Sequence, residues 1–201
     1  PADGEPKTWP LVQGPLEMRP ERYVVPALSL EAYVRAEVTS AAAAPLLPGE
    51  ARIFLGPDFL GRASFPLLRP GDSTMLNLGL DPNLTVELVQ VRDEREEPGV
   101  FSDTVHLHRA WQLVLKLGAA AAGPASILIE EAFPVSRDDR IEIQPIAAKP
   151  AALAEEQDLA DRQERGIWRW RVELAPGASQ TLRWGWSAAF DEELAPEFGA
   201  D

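Results

Sequence analysis

Turn signals crowd this chain so closely that little besides short strands fits between them. Pro48-Gly49 and Gly56-Pro57-Asp58 bracket Ala51-Arg52-Ile53-Phe54-Leu55, and Pro70-Gly71-Asp72 comes soon after. Glycine permits positive φ and proline fixes φ near the turn value, so each cluster is a place to reverse the chain. The apolar run between the first two clusters, with its β-branched and aromatic residues, reads as a strand, and residues 59–65 complete a hairpin. Thr74, Leu76 and Leu78 then alternate with Met75 and Asn77, the two-residue period of a strand. Strands this short at this spacing predict an all-β fold, an antiparallel β-sandwich.

The remaining sequence repeats the plan. Residues 1–22 hold five prolines, which lack the donor a sheet ladder needs. They predict a proline-rich N-terminal arm with room for one edge strand at 9–12. Ala32, Val34, Ala36 and Val38 alternate with Tyr33, Arg35 and Glu37 as a strand. Residues 84–92 alternate likewise, the charged run 92–99 turns the chain and 104–117 runs back, a long hairpin over 84–117 with a solvated tip. The strand and alanine run ending at Ala44-Pro45 are echoed by the strand at 111–117 and the alanines 119–122. Pro70-Gly71 is echoed by Pro176-Gly177. These echoes predict two immunoglobulin- or fibronectin-like lobes in tandem, over 23–82 and 83–195, with a tail at 196–201. The alanine runs favour helix by propensity but are short and end at proline, so loops are expected. Residues 133–139 predict a turn into a strand at 140–144. Residues 145–165 predict an exposed polar insert with one or two helical turns from Ala151. Gly166 is expected to open a last hairpin, turned at Pro176-Gly177.

Composition narrows the function classes. At 201 residues a chain buries roughly 70% of its unfolded surface, so a core needs neither disulfide nor metal. The absence of Cys removes disulfides, thiolate zinc sites and thiol catalysis. A net charge of −13 argues against nucleic acid and against anionic membrane surfaces as partners. No apolar run approaches the roughly 20 residues of a membrane helix. No signal peptide is visible and the first residue is Pro, so a processed product or an excised piece is expected.

Few residues suggest chemistry. Trp168, Trp170, Val172 and Leu174 share one strand face, and Leu182, Trp184 and Trp186 share another across the Pro176-Gly177 turn. Either these four indoles pack a core, each burying up to about 200 Å², or they form an aromatic platform for sugar rings. His106 and His108 stand at i, i+2 and could ligate zinc or nickel, but no spacing supplies a third ligand. Asp138 and Asp139 are expected as turn and cap residues, since no EF-hand pattern surrounds them. Glu130-Glu131 and Asp138-Asp139 are paired carboxylates, but strand neighbours point to opposite faces and cannot flank one glycosidic bond. No nucleophile elbow, zinc-protease helix, phosphate loop or dinucleotide glycine pattern occurs. No catalytic, cofactor or metal residue is therefore expected.

A set of segments in order along the chain carries a resemblance. Tyr23-Val24-Val25-Pro26, Ala32-Tyr33-Val34-Arg35-Ala36-Glu37, Leu46-Leu47-Pro48-Gly49, Phe59-Leu60-Gly61-Arg62, Gly79-Leu80-Asp81-Pro82 and Phe133-Pro134-Val135-Ser136-Arg137-Asp138 resemble the C-terminal β domain of the mucoidy-inhibitor A family. The chain departs from that pattern at Ser40, where Asn is expected, and in the alanines 41–44. The resemblance implies a bacterial protein of largely uncharacterised role, linked to exopolysaccharide and associated with the cell envelope or periplasm, with a further domain and a coiled coil before this region. It supplies no catalytic residue. The expected function is a non-enzymatic interaction module with a protein partner. The alternatives are a polysaccharide-binding module using the tryptophans, and an accessory domain of a hydrolase.

Overall fold

The computed structural model describes residues 14–55, 58–98 and 103–197; the edge strand expected at 9–12 lies outside them. The described residues are mostly strand. In chain order the elements are β1 (Leu16–Val24), β2 (Tyr33–Ser40), β3 (Gly49–Leu55), β4 (Asp58–Phe65), β5 (Ser73–Leu80), β6 (Leu84–Glu96), β7 (Thr104–Leu117), β8 (Ala125–Ala132) and β9 (Ile141–Lys149). After these come helix α1 (Glu156–Arg165), β10 (Ile167–Leu174), β11 (Ser179–Asp191) and a 3-10 turn over Glu192–Glu197. The fold is all-β, its sheets packed in a sandwich-like arrangement. Two compact units result, one from Pro1–Glu21 with Tyr33–Leu80, the other from Arg22–Ala32 with Asp81–Asp201.

In the first unit β2 pairs antiparallel with β5, from Tyr33 opposite Leu80 to Thr39 opposite Ser73. The alternation of β5 appears as Leu76 buried and Met75 half exposed. β3 and β4 form the expected hairpin, Gly49 opposite Phe65 and Leu55 opposite Asp58. The core of this unit is small: Ala36, Val38 and Leu76, with Leu16, Phe65 and Leu78 against them. The alanines 41–44 form no helix, as expected of a run ending at Pro45.

The second unit is a sandwich. One sheet runs β6-β7-β11-β9 and is antiparallel throughout. In the other, β10 lies antiparallel to β8, while the end of β1 runs parallel to β8, Val24 opposite Ile129. Between them lies one large core, in which Leu113, Leu115, Ile127, Ile129, Trp170 and Leu182 are fully or almost fully buried. The gap in the chain between Ala32 and Asp81 is closed by a hydrogen bond, Asp81 N–H to Ala32 O at 2.8 Å. The Asp81 carboxylate beside it accepts from Arg22 Nε at 2.9 Å and from Asn83 N–H at 2.9 Å.

Five expectations are corrected. Residues 16–22, read as an arm, lie in β1; β8 pairs with β1 only from Arg22 onward, so Pro20 has no β8 ladder to break. β6 continues through the charged run to Glu96, Arg92, Asp93 and Arg95 standing opposite Ala110, Arg109 and Leu107. The strand after 139 does not stop at 144; β9 runs to Lys149 through Pro145, tolerated because β9 is an edge strand. That leaves 156–165 as a full helix, and it is not merely an exposed insert, because Asp158 and Asp161 are buried. Finally, β10 and β11 are not a hairpin: they belong to different sheets, so the turn at Pro176-Gly177 carries the chain across the sandwich. Alternation shows which residues face inward. It does not show which strand lies alongside.

Candidate functional site

The crossing at Pro176-Gly177 decides where the tryptophans go. β10 and β11 turn their indoles toward each other from opposite sheets, and the Trp170 and Trp184 ring centroids lie 5.5 Å apart. Trp170, Trp184 and Trp186 are buried. They pack the core and form no exposed platform. Trp168 is half buried. Phe133 stacks on it at 4.7 Å and 15°, and the Arg162 guanidinium stands 4.0 Å over its ring. Phe133 and Arg162 thus cover part of the Trp168 ring, which also lines the open groove between β9 and α1. Trp170 Nε1 donates to Pro150 O at 3.2 Å.

The other expected candidates are surface residues. His106 is exposed and His108 half buried on the outward face of β7, alternating with buried Val105 and Leu107; His108 Nε2 is 3.8 Å from Glu96. No group of three His, Asp or Glu among the described residues could hold a metal ion. Asp138 closes a turn: it accepts from Arg140 N–H and binds the Arg140 side chain at 2.6 and 3.0 Å. Arg140 holds the Asp138 carboxyl at about 2, below the carboxylate range.

Charge enters the second unit's interior at Glu130-Glu131. On β8 the two neighbours point to opposite faces. Glu130 accepts from Arg169 Nε at 2.8 Å and from the Tyr23 hydroxyl at 3.2 Å. The same Arg169 grips α1 through Asp161 at 2.6 Å and Asp158 at 3.5 Å. Glu131 takes the other side, in phase with Ala125, Ile127 and Ile129, all fully buried. A carboxyl therefore sits at a core-facing position. The backbone N–H groups of Ala132 and Ala27 donate to it, but Oε2 is buried with no hydrogen-bond partner. Burial pushes its pKa up to about 7, against the pull of those two N–H groups.

Glu131 lines a cavity of about 220 Å³ together with Leu88, Trp111, Phe133, Trp184 and Trp186, while its Oε2 atom is itself covered by protein. Four different elements or connections supply these walls: β6, β7, β11 and the chain just after β8. Trp111 and Trp184 are direct cross-strand partners, and the Trp111 and Trp186 centroids are 6.3 Å apart. Glu131 is the single side-chain acceptor in this lining. The Arg109 guanidinium stands 5.6 Å from the Trp186 centroid, with its charge met by Asp93 at 3.1 Å. Phe133 also walls a second, open groove of about 500 Å³ between β9 and α1, where Val135 and Leu159 are half exposed. Among the described residues, Arg162 Nε is the other buried side-chain atom without a hydrogen-bond partner. The sequence carried a signal for Glu131 in its phase with Ile127 and Ile129. Trp111 gave none, since its cavity neighbours come from distant strands.

Glu131 is the one titratable side chain in the lining of this cavity. No helix among the described residues is long and apolar enough to cross a membrane. A curated Caenorhabditis elegans protein, Protein F37C4.5, is 27% identical over 174 residues, which is 83% of this chain and 30% of that protein. The chain thus spans under a third of that relative's length. No solved structure matches the chain. The model of a domain of unknown function, DUF4139, matches residues 2–192, and the chain belongs to that family.

Proposed function

We propose that this chain is a non-enzymatic binding module whose second unit accepts its ligand in the aromatic recess at Glu131. One observation carries the reading: three indoles, Phe133 and the acidic residue Glu131 line one cavity of about 220 Å³. An aromatic-walled cavity with a single acid is suited to a ligand that is apolar over most of its surface and carries one polar group. The acidic surface, net charge −13, favours cationic partners over anionic ones.

The finer family reading, the C-terminal β domain of mucoidy-inhibitor A proteins with an envelope association, belongs to this proposal and rests on resemblance alone. A nematode relative pulls against a role confined to bacterial polysaccharide. The burial of Trp170, Trp184 and Trp186 also weighs against a four-indole sugar platform. The test is a ligand screen on the full chain, read by tryptophan emission and thermal shift. Saturable binding that is lost in Trp111→Leu supports the reading. Ligands that bind equally well to Trp111→Leu and Glu131→Leu would place the contact elsewhere.

A further inference from the structure

The recess at Glu131 also limits what can enter it. Its side-chain walls offer four aromatic residues, Trp111, Phe133, Trp184 and Trp186, the alkyl groups of Ala27, Leu88 and Ala132, and one carboxyl, that of Glu131. At about 220 Å³ it exceeds the roughly 30 Å³ share of a single water molecule, so a head group of several atoms fits. A neutral polar ligand would find only indole N–H groups and one carboxyl among the side chains, the rest of the wall being ring faces and alkyl groups. An anion would face a carboxyl. A cation gains twice, from the negative faces of the rings and from the acid. Trp186 already lies beside one cation, the guanidinium of Arg109, which Asp93 neutralises.

The number of acceptors selects among cations. A primary ammonium brings three N–H donors, but the one side-chain carboxyl of the lining already accepts from the Ala27 and Ala132 amides, and its Oε2 is covered by protein. The donors of a primary ammonium would be stranded against rings. An alkylated ammonium replaces those donors with methyl or methylene groups, which suit aromatic walls.

We propose that the recess is a site for a substituted ammonium head group, tertiary or quaternary, with Glu131 as its counter-charge and Trp111, Trp184 and Trp186 as its walls. This rests on the recess being the ligand site, and the experiment separates the two ideas. Choline and 3,3-dimethylbutan-1-ol have nearly the same shape and differ in charge; methylammonium keeps the charge but not the alkyl groups. Each is titrated into the full chain at pH 8 and constant ionic strength, read by tryptophan emission and calorimetry. The expected result is choline binding at least tenfold tighter than either control, falling to the alcohol's level in Glu131→Gln. Equal binding of choline and the alcohol, or choline binding unchanged in Glu131→Gln, overturns the ammonium inference while leaving a ligand site. Methylammonium matching choline overturns the preference for substitution. If none of the three binds, the ammonium inference falls outright, and the broader ligand screen decides the recess separately.

Discussion

Glu131 ties stability to pH in a direction opposite to most carboxylates. Its pKa rises from 4.5 to about 7 on folding, so between those values the folded chain holds a proton that the unfolded chain has lost. Stability from this group is therefore full below pH 4.5, falls as pH rises through 7 and levels off above it. The full shift corresponds to about 3 kcal/mol, and partial exposure reduces that to on the order of 2 kcal/mol. Glu131→Gln should remove this slope and be the more stable protein at pH 8, as read by urea midpoints from pH 5.5 to 8. In that window Asp81, Asp138 and Asp161, all held below the carboxylate range, stay ionised and add no slope. No other titratable side chain lines the cavity. An equal slope in wild type and variant would show that Glu131 is solvated.

At the scale of elements, α1 is held by few contacts of high value. Its own sequence is polar, and no side chain caps its first turn. Arg169 of β10 joins it to the sheet, bridging Asp158 and Asp161 to Glu130. Arg169→Leu would leave Glu130, Asp158 and Asp161 without the cation that bridges them, with only the exposed Arg165 at 3.8 Å from Asp161, at a cost of about 3 kcal/mol. Hydrogen exchange should show the α1 amides losing protection first, and protection unchanged in α1 would refute the tether. Gly166 ends the same helix at φ +71°, and a Cβ there would lie 2.1 Å from Phe133 O. Gly166→Ala should cost about 1–3 kcal/mol, read as a lower denaturation midpoint. Much of this level was legible beforehand. The β3–β4 hairpin and the β6–β7 ribbon follow from alternation and turn chemistry, which are local. What escaped was non-local. Pro145 looked like a strand breaker because edge position is not written in sequence. β10 and β11 looked like a hairpin because sheet membership depends on β8 and β7. The candidate recess escaped for the same reason, its walls being far apart along the chain, although the phase of Glu131 was there to read.

For the whole molecule, the two units differ in what holds them. The second has a core with several fully buried aromatic and aliphatic side chains, while the first is centred on Ala36, Val38 and Leu76. Opening free energy scales with buried apolar contact. Native-state hydrogen exchange should therefore find the amides of β2 and β5 opening at lower free energy than those of β7 and β11. Equal values would mean that the units unfold as one. The close meeting of Ala32 O with the Asp81 amide has a consequence for engineering. Both ends of segment 33–80 leave the second unit from a single point, so the segment is an insertion that can be bypassed. A chain of residues 22–32, a short Gly-Ser bridge and residues 81–201 should fold with its tryptophan core and its recess intact. A chain cut at 83 should not, because it discards Val24, Ala27 and Ala32, which the second unit needs as a strand, a cavity wall and a closure.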